Sequence, residues 1–268
     1  QGQTVRQGRT FVKGPSGGDA LRPAVHFRQR NGWEAADMGL FLWRANWLPL
    51  ILFAGIPAAF LSALRALIPA PWVTALAVWW LKPFLDRLCL QALSVRFFEP
   101  RAALGRLFRG LGRTLFRGLA GDLLWRRFSP WRSARLPLRT LERLRGTNYR
   151  RRKLLLARNG LDFGFPLTVI SLGLWSALTL GEYLFAYSAA GMMRGGAGSL
   201  QDFFLEFDRW TAPFFWFDKL AFWFNLTLIE SLYTAMGFGL YINSRVETEG
   251  WDIELLFKQC VERAEHKR

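Results

Sequence analysis

Twenty residues between Arg44 and Arg65, positions 45–64, carry no charge, and no other feature restricts the chain so strongly. A helix needs about 20 predominantly apolar residues to cross the hydrocarbon core of a bilayer. Three further windows come close to that requirement. Residues 66–81 are charge-free but number only 16, about 24 Å of helix, so Lys82 has to snorkel or the bilayer has to thin. Residues 163–193 contain a single charge, Glu182, and residues 220–244 a single charge, Glu230. The windows predict an all-α polytopic membrane protein with about four transmembrane helices plus amphipathic interfacial helices.

Composition supports that reading through segregation. The chain has 36 Lys+Arg against 20 Asp+Glu, a net charge of +16, yet 51% of it is apolar and 13 residues are Trp. Disordered basic chains lack such an aromatic content. The segment 82–162 holds 20 of the basic residues and 5 acidic ones, so nearly the whole excess sits in one loop. Positive residues mark the cytoplasmic side of a membrane protein. The other basic pieces are 1–44 and 245–268, and all three lie on one side when the number of spans is even. Four spans with cytoplasmic N- and C-termini in an inner membrane satisfy the count.

The organisation follows. Residues 1–32, polar and aperiodic, read as a mobile cytoplasmic tail rather than a secretion signal. Residues 33–98 hold an interfacial helix and the first two spans, 99–160 a basic cytoplasmic loop, 161–244 an outer loop and the last two spans, and 245–268 a cytoplasmic tail. In the outer loop, Phe203, Phe204, Trp210, Phe214, Phe215 and Trp216 suit an interface on the far side.

Within the basic loop, residues 104–119 resolve at 100° per residue into two faces. Leu104, Phe108, Leu111 and Leu115 fall on one, and Arg106, Arg109, Arg113 and Arg117 on the other. Such a helix lies in the headgroup layer with its arginines on anionic lipid phosphates. The run Arg150, Arg151, Arg152 and Lys153 serves as a topological anchor and a second headgroup site. Nucleic acid is disfavoured, because the apolar stripe opposite the arginines belongs to a membrane first.

Polar groups inside the spans are the candidate functional residues. Glu230 lies near the middle of its window, and an intramembrane carboxylate is costly enough to call for a role. It either fixes helix packing or serves a proton or ion path. Asn225 lies about 140° from Glu230 around a helix and is no evident partner; Glu182 sits toward the outer end of its span. Small residues four apart, Gly173, Ala177 and Gly181 on the third span and Thr227, Ser231, Ala235 and Gly239 on the fourth, allow close backbone approach. The expectation is that these stripes pack on one another or on a second copy, a homo-oligomer. His26 and His266 lie in the tails, Cys89 and Cys260 are far apart, and no hydrolase, Walker, zinc or dinucleotide motif occurs. The expectation is therefore a non-enzymatic protein without metal or cofactor.

Four stretches resemble a family of uncharacterised bacterial inner-membrane proteins: WEAADMGLFLWR at 33–44, WWLKPFLDRLCLQALS at 79–94, RSARLPLRTLERLRG at 132–146 and LYINSRVETEGWDIELLF at 240–257. The matching positions are Trp33, Glu34 and Asp37, then Lys82, Pro83, Asp86 and Arg87, then Asn243, Arg245, Glu249, Gly250, Trp251, Asp252 and Glu254. Members of that family are often encoded beside a MoxR-type AAA ATPase, von Willebrand factor A-like membrane proteins and a transglutaminase-like membrane protein. The resemblance implies an accessory or scaffold role in an envelope complex, with other membrane proteins and an AAA ATPase-associated complex as partners. The family tends to follow its intramembrane Glu with Pro, whereas Ser231 follows Glu230 here. The contrasting expectation is a small transporter or proton-coupled carrier using Glu230.

Physically, Lys82-Pro83 can end or bend the second span, with Asp86 and Arg87 on the inner surface. Asn243 and Arg245 would meet inner headgroups. Glu247, Glu249, Asp252 and Glu254 would pair with the arginines of the loop.

Overall fold

The computed structural model describes residues 30–68, 71–99, 102–108, 111–116, 129–142, 144, 146–157, 161–193 and 215–249. Among them every regular element is helical: α1 (Gly32–Ala45), α2 (Trp47–Leu67), α3 (Pro71–Phe98), α4 (Leu104–Phe108), α5 (Leu111–Phe116), α6 (Arg132–Thr140), α7 (Gly146–Ala157), a 3-10 turn at Leu161–Phe163, α8 (Gly164–Met193) and α9 (Phe215–Glu249). Two helices are long and apolar enough to cross a membrane, α2 over Trp47–Leu64 and α8 over Gly164–Ala189. In α3 the apolar stretch is interrupted by Lys82, Asp86 and Arg87, and in α9 by Asn225 and Glu230.

The organising element is α9. Its 35 residues span about 52 Å, more than the hydrocarbon core. Helices α1, α2, α3, α6 and α8 all pack on it.

Helices α1 and α2 form one nearly continuous line antiparallel to α9. Asn243 exchanges hydrogen bonds with the Arg30 backbone, at 3.0 Å to its N–H and 2.8 Å to its carbonyl. Further along, the Trp43 indole N–H donates to Ser231 Oγ at 2.8 Å, and the Trp223 indole N–H donates to the Gly55 carbonyl at 2.8 Å. Ser62 donates to the Lys219 carbonyl at 2.8 Å. Asn31 caps α1 by accepting the Glu34 N–H at 2.9 Å. The line breaks only at Asn46, whose N–H reaches the Leu42 and Trp43 carbonyls.

The segment expected as an interfacial helix leading into the first span is α1. Helix α1 lies lengthwise on α9 and not across the bundle end. The cause is small residues at the crossing: a Cβ on Gly39 would run into the Ala235 carbonyl, and one on Gly239 into the Ala35 carbonyl and the Gly39 backbone. The stripe Thr227, Ser231, Ala235 and Gly239 thus faces α1 and α2. Its expected mate on α8 meets no neighbour among the described residues, where nothing lies within 4 Å of a Cβ at Gly173 or Gly181.

Helix α3 does not end at Lys82-Pro83 but continues to Phe98 with Pro83 buried inside it, because its inner half is enclosed by α9, α5 and α6. Within 104–119 the described residues form α4 and α5, with Leu107 and Leu115 buried and Phe108, assigned to the apolar face, exposed beside Phe53. The Arg87 guanidinium donates to the Leu115 carbonyl at 2.7 Å, so α5 is bound to α3 rather than resting on lipid alone.

The basic loop wraps the inner third of α9. Arg152 forms ion pairs with Glu249 and, at 3.0 Å, with Glu142; Glu142 also accepts from the Tyr241 hydroxyl at 2.8 Å. Arg245 pairs with Glu249 at 2.6 Å. Reversing the charge in Glu249→Lys is expected to release α7 from α9 and to speed proteolysis within residues 129–160 in membrane vesicles. An unchanged cleavage rate would refute that coupling. Positions Gly250, Trp251, Asp252, Glu254 and the loop aromatics Phe203, Phe204, Trp210 and Phe214 lie outside the described residues, as do the tail 1–29 and Cys260.

Candidate functional site

The polar interior begins at one turn of α3. Residues four apart on a helix share a face, so Lys82 and Asp86 point the same way, toward α9 and α6. Lys82 Nζ lies 2.5 Å from Glu230 Oε1, and Arg132 Nη2 lies 2.5 Å from Asp86 Oδ2. The Thr234 hydroxyl donates to Asp86 Oδ1 at 3.4 Å, and Lys82 lies 5.7 Å from the Tyr233 ring centre. Two cations thus face two carboxylates in a nearly closed space: side-chain exposure is 1% for Glu230 and Asp86, 10% for Arg132 and 34% for Lys82. Such a buried set persists only when each charge has its counterpart.

Helix α6 carries Arg132 there. Although it reads RSARLPLRT, it is buried from Arg132 through Leu138. It fits because α9 has Gly237 at the contact, where a Cβ would collide with Ser133. The Tyr233 hydroxyl ties three elements together, meeting Thr168 of α8 at 2.8 Å and accepting the Ser133 N–H at 3.4 Å. The side chain of Thr168 also donates to the Pro130 carbonyl.

A cavity of about 620 Å³ opens from this cluster. Its lining runs along α8 from Thr168 to Ala186 and along α9 from Phe217 to Tyr233, about 24–27 Å at the helical rise. Val78, Trp79 and Lys82 of α3 form the opposite wall, and Ser129, Pro130 and Arg132 close the inner end. The result is a long groove with the charge cluster at one end, beside Ser129, Pro130 and Arg132. Further out lies a second polar group, where Asn225 Nδ2 donates to Glu182 Oε2 at 2.8 Å. At the outer end Asp218 pairs with Lys219 at 2.7 Å and accepts from the Tyr183 hydroxyl at 3.3 Å.

The site places the candidate residues differently from the sequence expectation. Glu230 has its partner in Lys82, which was expected to snorkel toward headgroups. Asn225 has its partner in Glu182, across two helices. Asp86 and Arg87, expected on the inner surface, are each 1% exposed. Asn243, expected among headgroups, is buried against Arg30 and donates to Glu247 at 2.9 Å; Arg245 is engaged by Glu249 rather than lipid.

Among the proposed headgroup ligands, Arg150 and Arg151 are exposed, whereas Arg152 is spent on Glu142 and Glu249. Arg106 is exposed and pairs with Glu99. Burial holds the Lys153 ammonium below its usual pKa, and the nearby Arg135 and Arg139 add to that. Arg109 and Arg117, and the side chain of Arg113, lie outside the described residues. Of the other motif positions, Trp33 packs edge-on against Phe163 at 4.6 Å and Asp37 is exposed.

Arg132, Ser133, Thr168 and Tyr233 were missed as site residues. One signal existed for a cation: a carboxylate inside a span calls for one, and Lys82 at the end of a neighbouring span was available. Nothing in the local pattern of α6 marked it for burial. Among the described residues, no group of His, Cys, Asp and Glu is arranged to hold a metal ion. No family model, curated protein or solved structure matches the chain. Fold and site together define a helical bundle that buries a cluster of charges, Asp86, Arg87, Arg132 and Glu230, and turns many large apolar side chains outward.

Proposed function

We propose that this chain is a non-enzymatic integral protein of a bacterial inner membrane, with α2, α3, α8 and α9 as four spans and its basic side in the cytoplasm. It serves there as an accessory or scaffold subunit of an envelope complex. The observation behind this reading is the inverted distribution of polarity. Asp86, Arg87 and Glu230 are 1% exposed, while Ile56 is 68%, Leu172 66% and Phe185 63% exposed. A water-soluble chain places these groups the other way round. Inside a bilayer, ionisable groups face the bundle interior and pair with one another.

The scaffold part rests on the matched charges. Lys82 and Glu230 neutralise each other, as do Asp86 and Arg132, so the inner cluster reads as helix packing. Helix α8 presents a broad apolar face to lipid, to a second copy of the chain or to another membrane protein. Arg150 and Arg151 are placed for anionic headgroups.

The groove favours a second reading, a small carrier, because Glu182 and Glu230 both line it. Crosslinking in native membranes with partner identification, beside a pH-gradient flux assay on proteoliposomes, separates the two. The scaffold reading expects stable partners and no flux above empty vesicles. Flux abolished by Glu230→Gln would overturn it in favour of the carrier.

A further inference from the structure

The two polar groups of the groove differ in their balance. At the inner end each carboxylate has a cation. At the outer group, Glu182 has no cationic partner among the described residues; its one hydrogen bond there is from Asn225. That bond fixes the amide: with Nδ2 given to Glu182, Asn225 is left with Oδ1 as a pure acceptor. Asn225 is 1% exposed, lines the groove, and its Oδ1 makes no hydrogen bond. A buried amide oxygen without a donor is costly, because it has given up water without replacement. The unmet demand is therefore for N–H or O–H groups and for one positive charge. Around it the walls are apolar and aromatic, with Trp175 and Phe222 edge-to-face at 6.0 Å, surfaces that also favour a cation.

We propose that the groove binds an amphipathic amine, its ammonium seated between Glu182 and Asn225 Oδ1 and its hydrocarbon chain lying along Trp175, Phe222 and Leu226. A primary ammonium has three N–H donors and one charge, and so meets both acceptors at once. An alcohol offers one donor and no charge. A quaternary ammonium offers charge without donors, and a fatty carboxylate brings repulsion from Glu182. The cavity volume lies within the range of small-molecule sites, about 300–1,000 Å³. This inference rests on the membrane reading, since the groove fills from the bilayer, but it holds for a scaffold or a carrier alike.

The test is binding of radiolabelled dodecylamine to the protein in lipid nanodiscs, competed by dodecyltrimethylammonium, dodecanol and dodecanoate. The shared chain cancels the apolar contribution. Dodecylamine is expected to compete best and dodecanoate worst, with Glu182→Gln weakening the amine about tenfold, equivalent to about 1.4 kcal/mol. Asn225→Asp, which adds a second carboxylate, is expected to tighten it, and it serves where Glu182→Gln fails to fold. Equal competition by dodecanoate, unchanged affinity in a folded Glu182→Gln, or unchanged or weaker affinity in Asn225→Asp would each overturn the proposal. Alkaline carbonate extraction decides the membrane reading separately. A protein that washes off the membrane refutes that reading, whereas one that stays but lacks amine selectivity refutes the amine site alone.

Discussion

Arg132→Met is expected to destabilise the protein by about 3–5 kcal/mol, the usual cost of removing one partner from a buried ion pair. The arginine sits 2.5 Å from Asp86 Oδ2, and its removal leaves Asp86, 1% exposed, beside the Thr234 hydroxyl, which donates to Oδ1 at 3.4 Å. Methionine keeps the length and apolar character of the stem, so the loss is of charge and not of volume. The double variant Asp86→Leu/Arg132→Met removes both charges and should recover most of the stability, since an apolar replacement of a whole buried pair is often neutral. Thermal unfolding in detergent, followed by intrinsic fluorescence, measures both variants. A single variant melting like wild type would show that the pair is dispensable. A double variant as unstable as the single would show that Arg132 acts through packing alone. Lys82→Met should cost less than Arg132→Met, because the Lys82 side chain is a third exposed whereas that of Arg132 is 10% exposed.

Gly39→Leu and Gly239→Leu are expected to detach α1 from α9. Here the obstruction is backbone on both sides. A Cβ at Gly39 meets the Ala235 carbonyl and the Met236 Cα, and one at Gly239 meets the Ala35 carbonyl and Gly39. Flexible side chains could move aside, but two helix backbones cannot separate locally without losing the Trp43–Ser231 and Arg30–Asn243 hydrogen bonds on either side. Overpacking a well-filled core costs typically 1–3 kcal/mol, and at a backbone crossing about 3 kcal/mol or more is expected. Matched controls exist on α8: a Cβ at Gly173 or Gly181 meets nothing within 4 Å among the described residues, so Gly173→Leu and Gly181→Leu should leave the melting temperature of detergent-solubilised protein unchanged. Equal loss at all four positions would refute the α1–α9 crossing as the point of strain.

These variants mark the limit of what the residue pattern can tell. The small-residue stripe Thr227, Ser231, Ala235 and Gly239 was legible because a spacing of four repeats one helical face. Its partner was not, since a stripe states that a backbone comes close without stating which one. Gly173, Ala177 and Gly181 display the same spacing, and no neighbour among the described residues packs on the two glycines. Asp86, Arg87 and Asn243 were placed at the membrane surface on the rule that charge follows water. They are buried because each meets its complement on an element distant in sequence, and that rule knows only neighbours along the chain. Glu182 and Asn225 were both marked as intramembrane polar groups, yet their contact joins positions 43 apart.

By itself the order of residues determined the helical windows, the excess of positive charge in one loop and the polar positions that need a partner inside an apolar span. These are local properties, set by hydropathy over about 20 residues and by the 3.6-residue period. The tertiary structure alone decided that α1 lies along α9, that α6 enters the bundle with Arg132, and that Lys82 rather than lipid answers Glu230. Long-range pairing depends on which helices can approach, and that is set by glycines and side-chain volumes on both partners at once, a joint property that no single segment contains.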